Sequence, residues 1–324
     1  MAKDIFSESK KNLRGIKKDV PLKNYTTFKV GGPAKYFFIA KSREDLATAT
    51  TMAKGLNLPI FILSGGSNIL VSDKGFKGLV IKIEISGMEI CGDKVSVGAG
   101  VALPKFASAV SKEGFAGFEW ATGVPGTVGG AIYGNAQAFG TKISDSVESV
   151  EVFDMKTSTF KDLTKDHCGF SLKESIFKKN KNLIIVSAVF NSKKGEPSEI
   201  NRNIRKFLKH RKDRHPIEFP SAGSVFVNPE IKIKNKKLLE KFPELEELNK
   251  LTAIPSGYFI EKCGLKGKKK GNAQISQKHA NFIINLGGAK AKDIAFLMDL
   301  AQREVKRVFG VNLKTEIQRI GFSG

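Results

Sequence analysis

The stretch ATGVPGTVGGAIYGNAQAFG, residues 121–140, contains six glycines and one proline, and it has no charged side chain. A solvent-exposed linker of this length would normally carry charge and more Ser or Pro. This stretch instead mixes Gly with Val, Ile, Tyr and Phe, which indicates a main chain buried against something. Glycine lets a main chain approach a ligand closely, and bare N–H groups in such a loop bind anions. The stretch therefore predicts a cofactor-binding loop, with a buried structural loop as the alternative.

Composition sets broad limits on the class of protein. A chain of 324 residues is long enough for two or three domains with cores of their own. No run of about 18 uncharged apolar residues occurs, so we expect no membrane span. Residues 1–20 are polar and basic, without the apolar region of a secretory signal. Cys91, Cys168 and Cys263 are unclustered, which indicates a reducing cytoplasm and neither a disulfide framework nor a zinc or other metal site.

The net charge is strongly positive, +22 from 54 Lys and Arg against 32 Asp and Glu. Such a balance attracts anions, whether nucleic acid, a membrane surface or phosphorylated small molecules. Here the lysines are spread along the chain, which is also typical of a lysine-rich surface without a specific partner. A nucleic-acid-binding protein would combine a basic face with exposed stacking aromatics, whereas these phenylalanines lie in apolar, core-like runs. We therefore expect no specific nucleic-acid partner.

The chain alternates strand and helix patterns. Residues 42–57 predict a helix capped by Ser42 and Asp45, and residues 58–63 predict a buried strand that runs into a Gly-Gly-Ser-Asn turn. The other predicted strands are 78–83, 94–103, 147–155, 182–191 and 313–322, and the other predicted helices are 103–115, 198–214 and 289–310. The segments 147–155 and 182–191 predict an antiparallel pair.

Two common nucleotide-binding motifs are missing. Gly98 and Gly100 begin a G-x-G-x-x-G pattern, but its third glycine is replaced by Leu103. No G-x-x-x-x-G-K-[ST] sequence occurs either. Neither a Rossmann nor a P-loop site is therefore supported.

Four blocks in a fixed order carry a family resemblance. They are LSGGSNILVSD (63–73), GVPGTVGGAIYGNAQAFG (123–140), PSAGSVFVNP (220–229) with ISQKHANFIIN (275–285), and LKTEIQRIG (313–321). On these blocks the chain resembles the UDP-N-acetylenolpyruvoylglucosamine reductase family of peptidoglycan precursor synthesis, from Asn24 to Phe322. Composition and periodicity alone do not lead to this family.

The resemblance implies an α+β architecture, namely a vanillyl-alcohol-oxidase-type FAD-binding fold of two α+β subdomains plus a separate α+β substrate-binding domain. The expected boundaries are a basic N-terminal extension at 1–20, the first FAD-binding subdomain at 21–80, the second at 81–197 joined by a C-terminal strand at 311–324, and the substrate-binding domain at 198–310. No tyrosine-bearing insertion is found between residues 180 and 200, so the chain resembles the shorter subtype of the family.

The resemblance also implies a reaction. The enolpyruvyl ether of UDP-N-acetylglucosamine enolpyruvate is reduced to the lactyl ether of UDP-N-acetylmuramate, with hydride passing from NADPH to FAD to C3 of the substrate and a proton going to C2. The implied partners are the UDP-sugar substrate and NADPH, and the implied location is the cytoplasm. The alternative is a flavin-dependent oxidase or dehydrogenase of the same fold that acts on another sugar or alcohol. The oligomeric state is left open.

Site residues follow by matching the family's motifs. Ser224 matches the proton donor and Glu316 the catalytic glutamate, although on their own a loop serine and a solvated strand glutamate are the ordinary interpretations. The implied cofactor-binding residues are Ser64, Gly65, Gly66, Ser67, Asn68, Gly123, Pro125, Gly126, Thr127, Gly130 and Asn135. The implied substrate-binding residues are Asn228, Ser276, His279 and Asn281. No G-x-S-x-G elbow surrounds Ser224, which argues against a serine hydrolase.

One implied catalytic position departs from the family. Where the family usually reads Tyr-Arg-x-Ser-Ile-Phe, this chain reads Leu172-Lys173-Glu174-Ser175-Ile176-Phe177. Lys173 keeps the positive charge that would stabilise negative charge developing on the substrate. It lacks the planar two-pronged donor of Arg, so the exchange is not neutral.

Overall fold

A computed structural model describes residues 13–322. Within them the chain divides into two compact units, each assembled from three separate segments. Unit 1 consists of residues 13–21, 33–66 and 75–211, and unit 2 consists of residues 22–32, 67–74 and 212–322. Each unit has its own buried apolar core.

The secondary structure is mixed. The strands are β1 (Lys17–Pro21), β2 (Pro33–Ala40), β3 (Ile60–Leu63), β4 (Ile69–Val71), β5 (Phe76–Ile83), β6 (Met88–Cys91), β7 (Lys94–Gly98), β8 (Phe115–Ala116), β9 (Gln137–Ala138), β10 (Thr141–Lys142), β11 (Val147–Asp154), β12 (Thr159–Thr164), β13 (Leu183–Asn191), β14 (Lys193–Lys194), β15 (Lys269–Lys270), β16 (Ala273–Ile275), β17 (Ile283–Asn285) and β18 (Gln318–Ile320). The α-helices are α1 (Arg43–Gly55), α2 (Leu103–Lys112), α3 (Val128–Tyr133), α4 (Ile176–Lys179), α5 (Pro197–Arg214), α6 (Lys236–Lys241), α7 (Glu244–Leu248), α8 (Ser256–Lys262) and α9 (Ala291–Phe309).

Unit 1 contains a four-stranded sheet in the order β1-β2-β5-β3. Strands β2, β5 and β3 are mutually parallel, and β1 adds to the edge in the antiparallel direction. Parallel strands need a connection that crosses back over the sheet, and α1 is that connection between β2 and β3. The helix begins as predicted, because the Ser42 hydroxyl accepts a hydrogen bond from the N–H of Asp45 at 3.1 Å. Its apolar face, which includes Leu46 and Ala49, is buried in the core.

A second sheet in unit 1 is antiparallel and five-stranded, in the order β12-β11-β13-β7-β6. The predicted antiparallel pairing of 147–155 with 182–191 is confirmed by β11 and β13. Phe106 of α2 lies against Phe118 and Phe190, with ring centroids 4.9 and 5.1 Å away. These fully buried rings join α2 to the sheet within the unit 1 core.

Unit 2 contains a small antiparallel sheet, β15-β16-β17, covered by α9. Helix α9 buries Ile294, Leu297 and Met298 in the unit 2 core. It ends as predicted at Gly310, which has φ 69° and donates its N–H to Lys306 O at 2.9 Å. A left-handed glycine of this kind is a common way for a helix to stop.

The C-terminal strand differs from the prediction. Only residues 318–320 form it, and β18 pairs in parallel with β4 of unit 2 and not with the strands of 81–197. Residues 313–317 are not part of a ladder, although Thr315 forms an isolated bridge with Phe226. The apolar alternation of 313–322 indicates an extended chain but not its partner, since strand pairing is decided by contacts far away in sequence.

The unit boundaries also differ from the expected domains. The part of α5 up to residue 211 belongs to unit 1, and residues 22–32 and 67–74 join unit 2. These two segments lie side by side, with the Gly32 N–H donating to Ser72 O at 2.8 Å. Of the expected extension at 1–20, residues 1–12 lie outside the described part, and β1 pairs with β2. The units follow contacts between distant segments, which local composition does not encode.

No helix within residues 13–322 combines the length and apolar character needed to cross a membrane. The same residues contain no group of three or more His, Cys, Asp or Glu side chains that could hold a metal ion. Cys91, Cys168 and Cys263 are all free thiols.

Candidate functional site

The main chains of two glycine loops in unit 1 pack directly against each other. Residues 64–66 follow β3, and residues 123–127 precede α3; we call them the paired loops. A Cβ atom added to Gly65 would lie 2.5 Å from Gly126 Cα and 3.2 Å from Thr127 N. No side chain larger than hydrogen fits at position 65 without moving a loop.

The paired loops present unused donors. Within residues 13–322, the N–H groups of Gly65, Gly126 and Thr127 donate to no protein acceptor. The hydroxyls of Ser64 and Thr127 hydrogen-bond to each other, and Thr127 Oγ1 accepts the Gly130 N–H at 3.3 Å. Bare main-chain donors without an acidic neighbour suit a phosphate group that must come close. The loops therefore fit the diphosphate of a dinucleotide such as FAD.

The remaining predicted cofactor residues of this region have different settings. Gly66 is buried with φ 63°, Gly130 is half-buried with a Cβ position 3.3 Å from Ser64 Oγ, and Pro125 is exposed. Helix α3 occupies part of the stretch 121–140 that the sequence indicated as a loop, and Thr127 is its N-cap. Gly123 lies against a side chain of α5.

Asn135 is not open to a ligand in the way the paired loops are. It is 2% exposed, and its Nδ2 donates to Ser171 O at 2.8 Å. Its φ is 41°, a left-handed conformation that Asn tolerates better than most residues. Close by, the fully buried Ser175 donates its hydroxyl to Tyr133 O at 2.7 Å. Asn135 and Tyr133 therefore tie the end of α3 to the turn that carries Lys173.

Lys173 lies in a tight two-residue turn. Ser171 and Glu174 exchange main-chain hydrogen bonds of 3.1 and 3.2 Å, and Leu172 and Lys173 form the tip. Lys173 has φ 56°, which is uncommon for a residue other than glycine. The Lys178 ammonium donates to Lys173 O, which further fixes the main chain. The turn holds a half-buried lysine in a set conformation.

In unit 2, Asn68 is joined to the segment that contains Glu316. Its Nδ2 donates to Glu316 O at 3.2 Å, and its main-chain oxygen accepts the Gln318 N–H at 3.1 Å. The neighbouring Ser67 is half-buried. The side-chain amide and the main-chain oxygen of Asn68 therefore both hydrogen-bond to the C-terminal segment.

Ser224 and Glu316 lie on adjoining extended segments. The main chain of Val225, next to Ser224, donates to Asn281 O at 2.8 Å and accepts the Glu316 N–H at 2.8 Å. One residue pair further, the Val227 N–H donates to Lys314 O at 3.0 Å. Segment 224–227 thus runs between segments 281–282 and 314–316. The structure brings together two predicted catalytic residues that are 92 positions apart in the sequence (316 minus 224).

The Ser224 side chain is accessible and unengaged. It is half-buried, follows Gly223 with φ 75°, and pairs through its main chain with Phe282. Its hydroxyl has no hydrogen-bond partner within residues 13–322. A hydroxyl held on a fixed main chain without a partner can donate to a bound molecule.

Two of the predicted substrate-binding side chains are used inside the protein. Asn281 is 3% exposed and bonds both to the N–H and to the oxygen of Phe226, at 3.0 and 2.8 Å. Ser276 is 1% exposed, and its hydroxyl accepts the N–H groups of Lys278 and His279 at 3.1 and 3.3 Å. Burial and these bonds leave neither side chain facing outward, so both shape the loops around Ser224.

The other two predicted substrate-binding residues, Asn228 and His279, lie at the surface of unit 2. Asn228 is exposed, and its Oδ1 accepts the Ser256 N–H at the start of α8, at 2.9 Å. His279 accepts the Asn281 N–H at Nδ1, at 3.2 Å, and its ring lies 4.8 Å from that of Phe282. With Nδ1 as acceptor, the neutral ring carries its proton on Nε2.

His215 is a neighbour of this site that the sequence did not reveal. Its ring centroid lies 5.0 Å from Phe282 and 5.7 Å from His279. Position 215 follows a basic helix, where a histidine looks like a surface residue. Only the packing of distant segments makes the two imidazoles neighbours.

The chain is similar to known proteins over most of its length. A family model described as UDP-N-acetylenolpyruvoylglucosamine reductase, C-terminal domain, matches residues 215–320, and one described as FAD binding domain matches residues 34–163. The reductase of that name from Lachnoclostridium phytofermentans is 38% identical over 311 residues, covering 93% of this chain and 91% of the relative. The chain belongs to the UDP-N-acetylenolpyruvoylglucosamine reductase family.

Other members of the family are similarly close. The reductase from Clostridium novyi is 37% identical and covers 94% of this chain and 92% of its own length. The crystal structure of the reductase from Thermus caldophilus is 31% identical with a TM-score of 0.75, covering 94% of this chain and 98% of that one. The expected family, the α+β FAD-binding fold and FAD as cofactor are confirmed, and the alternative oxidase is not favoured.

Proposed function

We propose that this chain reduces the enolpyruvyl ether of UDP-N-acetylglucosamine enolpyruvate to the lactyl ether of UDP-N-acetylmuramate, with NADPH as reductant, in the cytoplasm. When bound, FAD supplies the hydride chemistry, accepting hydride from NADPH and passing it to C3 of the substrate. One observation carries the assignment of the reacting residues: the Glu316 N–H bonds to Val225 O, which places Glu316 beside the residue that follows Ser224 in a chain of this family.

Ser224 is the proposed proton donor to C2. A serine hydroxyl is a weak acid at pH 7, but the carbon left after hydride addition is a far stronger base, so transfer in this direction is reasonable. The unengaged hydroxyl supports the role, since it need not break a protein hydrogen bond before it donates.

Glu316 and Lys173 are the proposed groups that respond to negative charge developing on the substrate. The ammonium group of Lys173 would stabilise that charge electrostatically, and its rigid turn would avoid the cost of reorganising during the reaction. Glu316 is proposed as the acidic group on the extended segment that adjoins the segment of Ser224. Its N–H and oxygen are both fixed, to Val225 and Asn68, so its side chain starts from a set position.

Several predicted ligand contacts are reassigned as positioning residues. Asn135 would hold the Lys173 turn, and Asn281 and Ser276 would hold the Ser224 and His279 loops. Asn228 and His279 remain proposed substrate contacts, because each keeps exposed or half-buried polar atoms. The paired loops, with Ser67 and Gly130, are proposed to hold FAD.

The positive charge of the chain suits these ligands. A UDP-sugar that carries a carboxylate and NADPH are both multiply charged anions, and a net charge of +22 attracts them over a distance. The attraction would raise association rates at low ionic strength and fade as salt is added.

The test is an anaerobic absorbance experiment on the purified protein. Flavin bands should bleach when NADPH is added and return when the enolpyruvyl nucleotide follows. Bands that bleach without returning would contradict the substrate, and a colourless protein that cannot take up FAD would contradict the entire proposal.

A further inference from the structure

Arg211, near the end of α5 in unit 1, has an unusual environment for an arginine. Its Nε atom is buried and has no hydrogen-bond partner within residues 13–322. Its guanidinium carbon lies 5.5 Å from the ring centre of Phe139, over the face of the ring. A buried donor without a partner is costly, so such an atom calls for an acceptor.

The side chain of Arg211 lies against one of the paired loops. A Cβ atom added to Gly123 would fall 2.7 Å from Arg211 Cδ and 3.2 Å from Nε. The guanidinium group therefore reaches the bare main chain of the same loop whose N–H groups at Gly126 and Thr127 are unused.

Packing fixes Arg211 in this place. Phe139 has φ 54°, a strained conformation for an aromatic residue, and it presents its ring to α5. Phe207 stacks on that ring at 4.2 Å between centroids, and His210 meets its edge at 5.1 Å. Because strain at a surface position persists only when the surroundings enforce it, the contact between Phe139 and α5 is well determined.

In the part of the chain that the structure describes, no protein group balances the charge of Arg211. Residues 121–140 contain no Asp or Glu, and Arg211 takes part in no ion pair within residues 13–322. Burial lowers the pKa of Arg211, as expected for a cation that has lost water without gaining an anion. Arg211 is half-buried, and an anion bound beside it would compensate for the water that its Nε has lost.

We propose that the guanidinium group of Arg211 binds a phosphate group of a nucleotide held at the paired loops. The planar fork of arginine matches the oxygens of a phosphate, and the free N–H groups of the loop add further donors to the same anion. Two sources share this chemistry, the diphosphate of FAD and the 2′-phosphate of NADPH. The inference rests on the proposed function, because that function supplies the nucleotides.

The experiment compares Arg211→Gln with the wild-type protein, both loaded with FAD. Release of FAD on dilution is followed by flavin fluorescence, and binding of 2′-phospho-ADP-ribose and of ADP-ribose is followed by calorimetry. We expect Arg211→Gln to weaken the binding of either FAD or the 2′-phosphorylated probe by roughly tenfold or more, the loss typical of a missing charge-assisted hydrogen bond. Faster FAD release identifies the FAD diphosphate, and weaker binding of the 2′-phosphorylated probe alone identifies NADPH.

Two further variants keep the test decisive. Arg205→Gln removes the same charge from an exposed position of the same helix, and Arg211→Lys keeps the charge but loses the fork. Arg205→Gln should behave as the wild type, and Arg211→Lys should recover part of the loss. The inference would be overturned if Arg211→Gln released FAD and bound both probes as the wild type does. It would also be overturned if Arg205→Gln weakened binding as much as Arg211→Gln. A colourless wild-type protein would instead refute the proposed function.

Discussion

The side chain of Asn281 bonds to the main chain of Phe226 in both directions. Nδ2 donates to Phe226 O at 2.8 Å, and Oδ1 accepts the Phe226 N–H at 3.0 Å, inside the core of unit 2. The Asn281 main-chain oxygen also accepts the N–H of Val225. Three bonds from one residue thus fix the segment that begins at Ser224. A second asparagine, Asn249, holds Ile233 with the same pair of bonds, at 2.8 and 2.9 Å.

Asn281→Ala should lower both stability and turnover. It leaves two buried main-chain groups of Phe226 without partners, which costs about 1–3 kcal/mol for each group. Denaturant unfolding measures that loss, and steady-state kinetics should show a lower kcat because Ser224 is no longer held. Asn249→Ala is the matched control: it should lose stability but keep kcat. Equal kcat in the two variants would contradict a positioning role for Asn281.

Ser224→Ala should separate the two halves of the reaction. Reduction of the flavin by NADPH does not require the hydroxyl, whereas protonation at C2 does, so reoxidation by the enolpyruvyl nucleotide should slow by roughly 10²–10⁴-fold. Stopped-flow absorbance resolves both steps. Ser221→Ala, three residues earlier in the same loop, should change neither rate. Rapid reoxidation in Ser224→Ala would show that another group donates the proton.

Lys173→Met should slow reoxidation of the flavin by substrate and leave its reduction by NADPH nearly unchanged. Asn135→Ala should do the same more weakly, because it frees the turn without removing the charge. In the double variant the two effects on reoxidation should not add, because Asn135 acts only by holding the turn that carries Lys173. Lys179→Met, an exposed lysine close by, is the control. Additive losses would mean that Asn135 acts independently of Lys173.

Gly65→Ala should weaken FAD binding. Its Cβ would lie 2.5 Å from Gly126 Cα, so one of the paired loops must move and the unused N–H groups lose their alignment. The ratio of flavin to protein absorbance after purification measures the effect. Gly55→Ala at the end of α1 adds a methyl group with nothing within 4 Å and should retain FAD fully. Full retention in Gly65→Ala would rule out the paired loops as the FAD site.

The three thiols should differ in reactivity. Burial raises the pKa of Cys168 and of Cys263 to about 11, whereas Cys91 is exposed. A group with this pKa is thiolate in only about one molecule in a thousand at pH 8, and the thiolate is the reactive form. A thiol reagent at pH 8 should therefore label Cys91 first, and labelling of Cys263 should rise above about pH 10. Cys91→Ser should abolish the rapid phase, and rapid labelling of Cys168 would contradict its burial.

Local sequence pattern was sufficient to predict the helices and strands that are determined by neighbouring residues. The start of α1 at Ser42, the end of α9 at Gly310 and the antiparallel pair β11–β13 follow from capping, glycine conformation and apolar alternation, and all are confirmed. The pairing partner of the C-terminal strand has no local cause, because β18 pairs with β4, nearly 250 residues earlier.

The candidate site divides in the same way. Motif resemblance selected Ser224, Glu316 and the glycine loops, but it could not distinguish residues that face outward from those used within the protein. Asn135, Ser276 and Asn281 carry the same polar groups as a ligand contact would. Only the folded structure shows that their partners are Ser171, two main-chain N–H groups and Phe226.

The sequence by itself determined the family, the α+β class and the short loops that only glycine can form, since each depends on residue types at fixed spacings. Tertiary structure alone decided which segments make up each unit, which strand β18 joins, and that Arg211 lies against Gly123 without a counter-ion among residues 13–322. The reason is physical: these outcomes depend on burial and hydrogen bonds between residues far apart in the chain, where the free energy belongs to the pair and not to either local pattern.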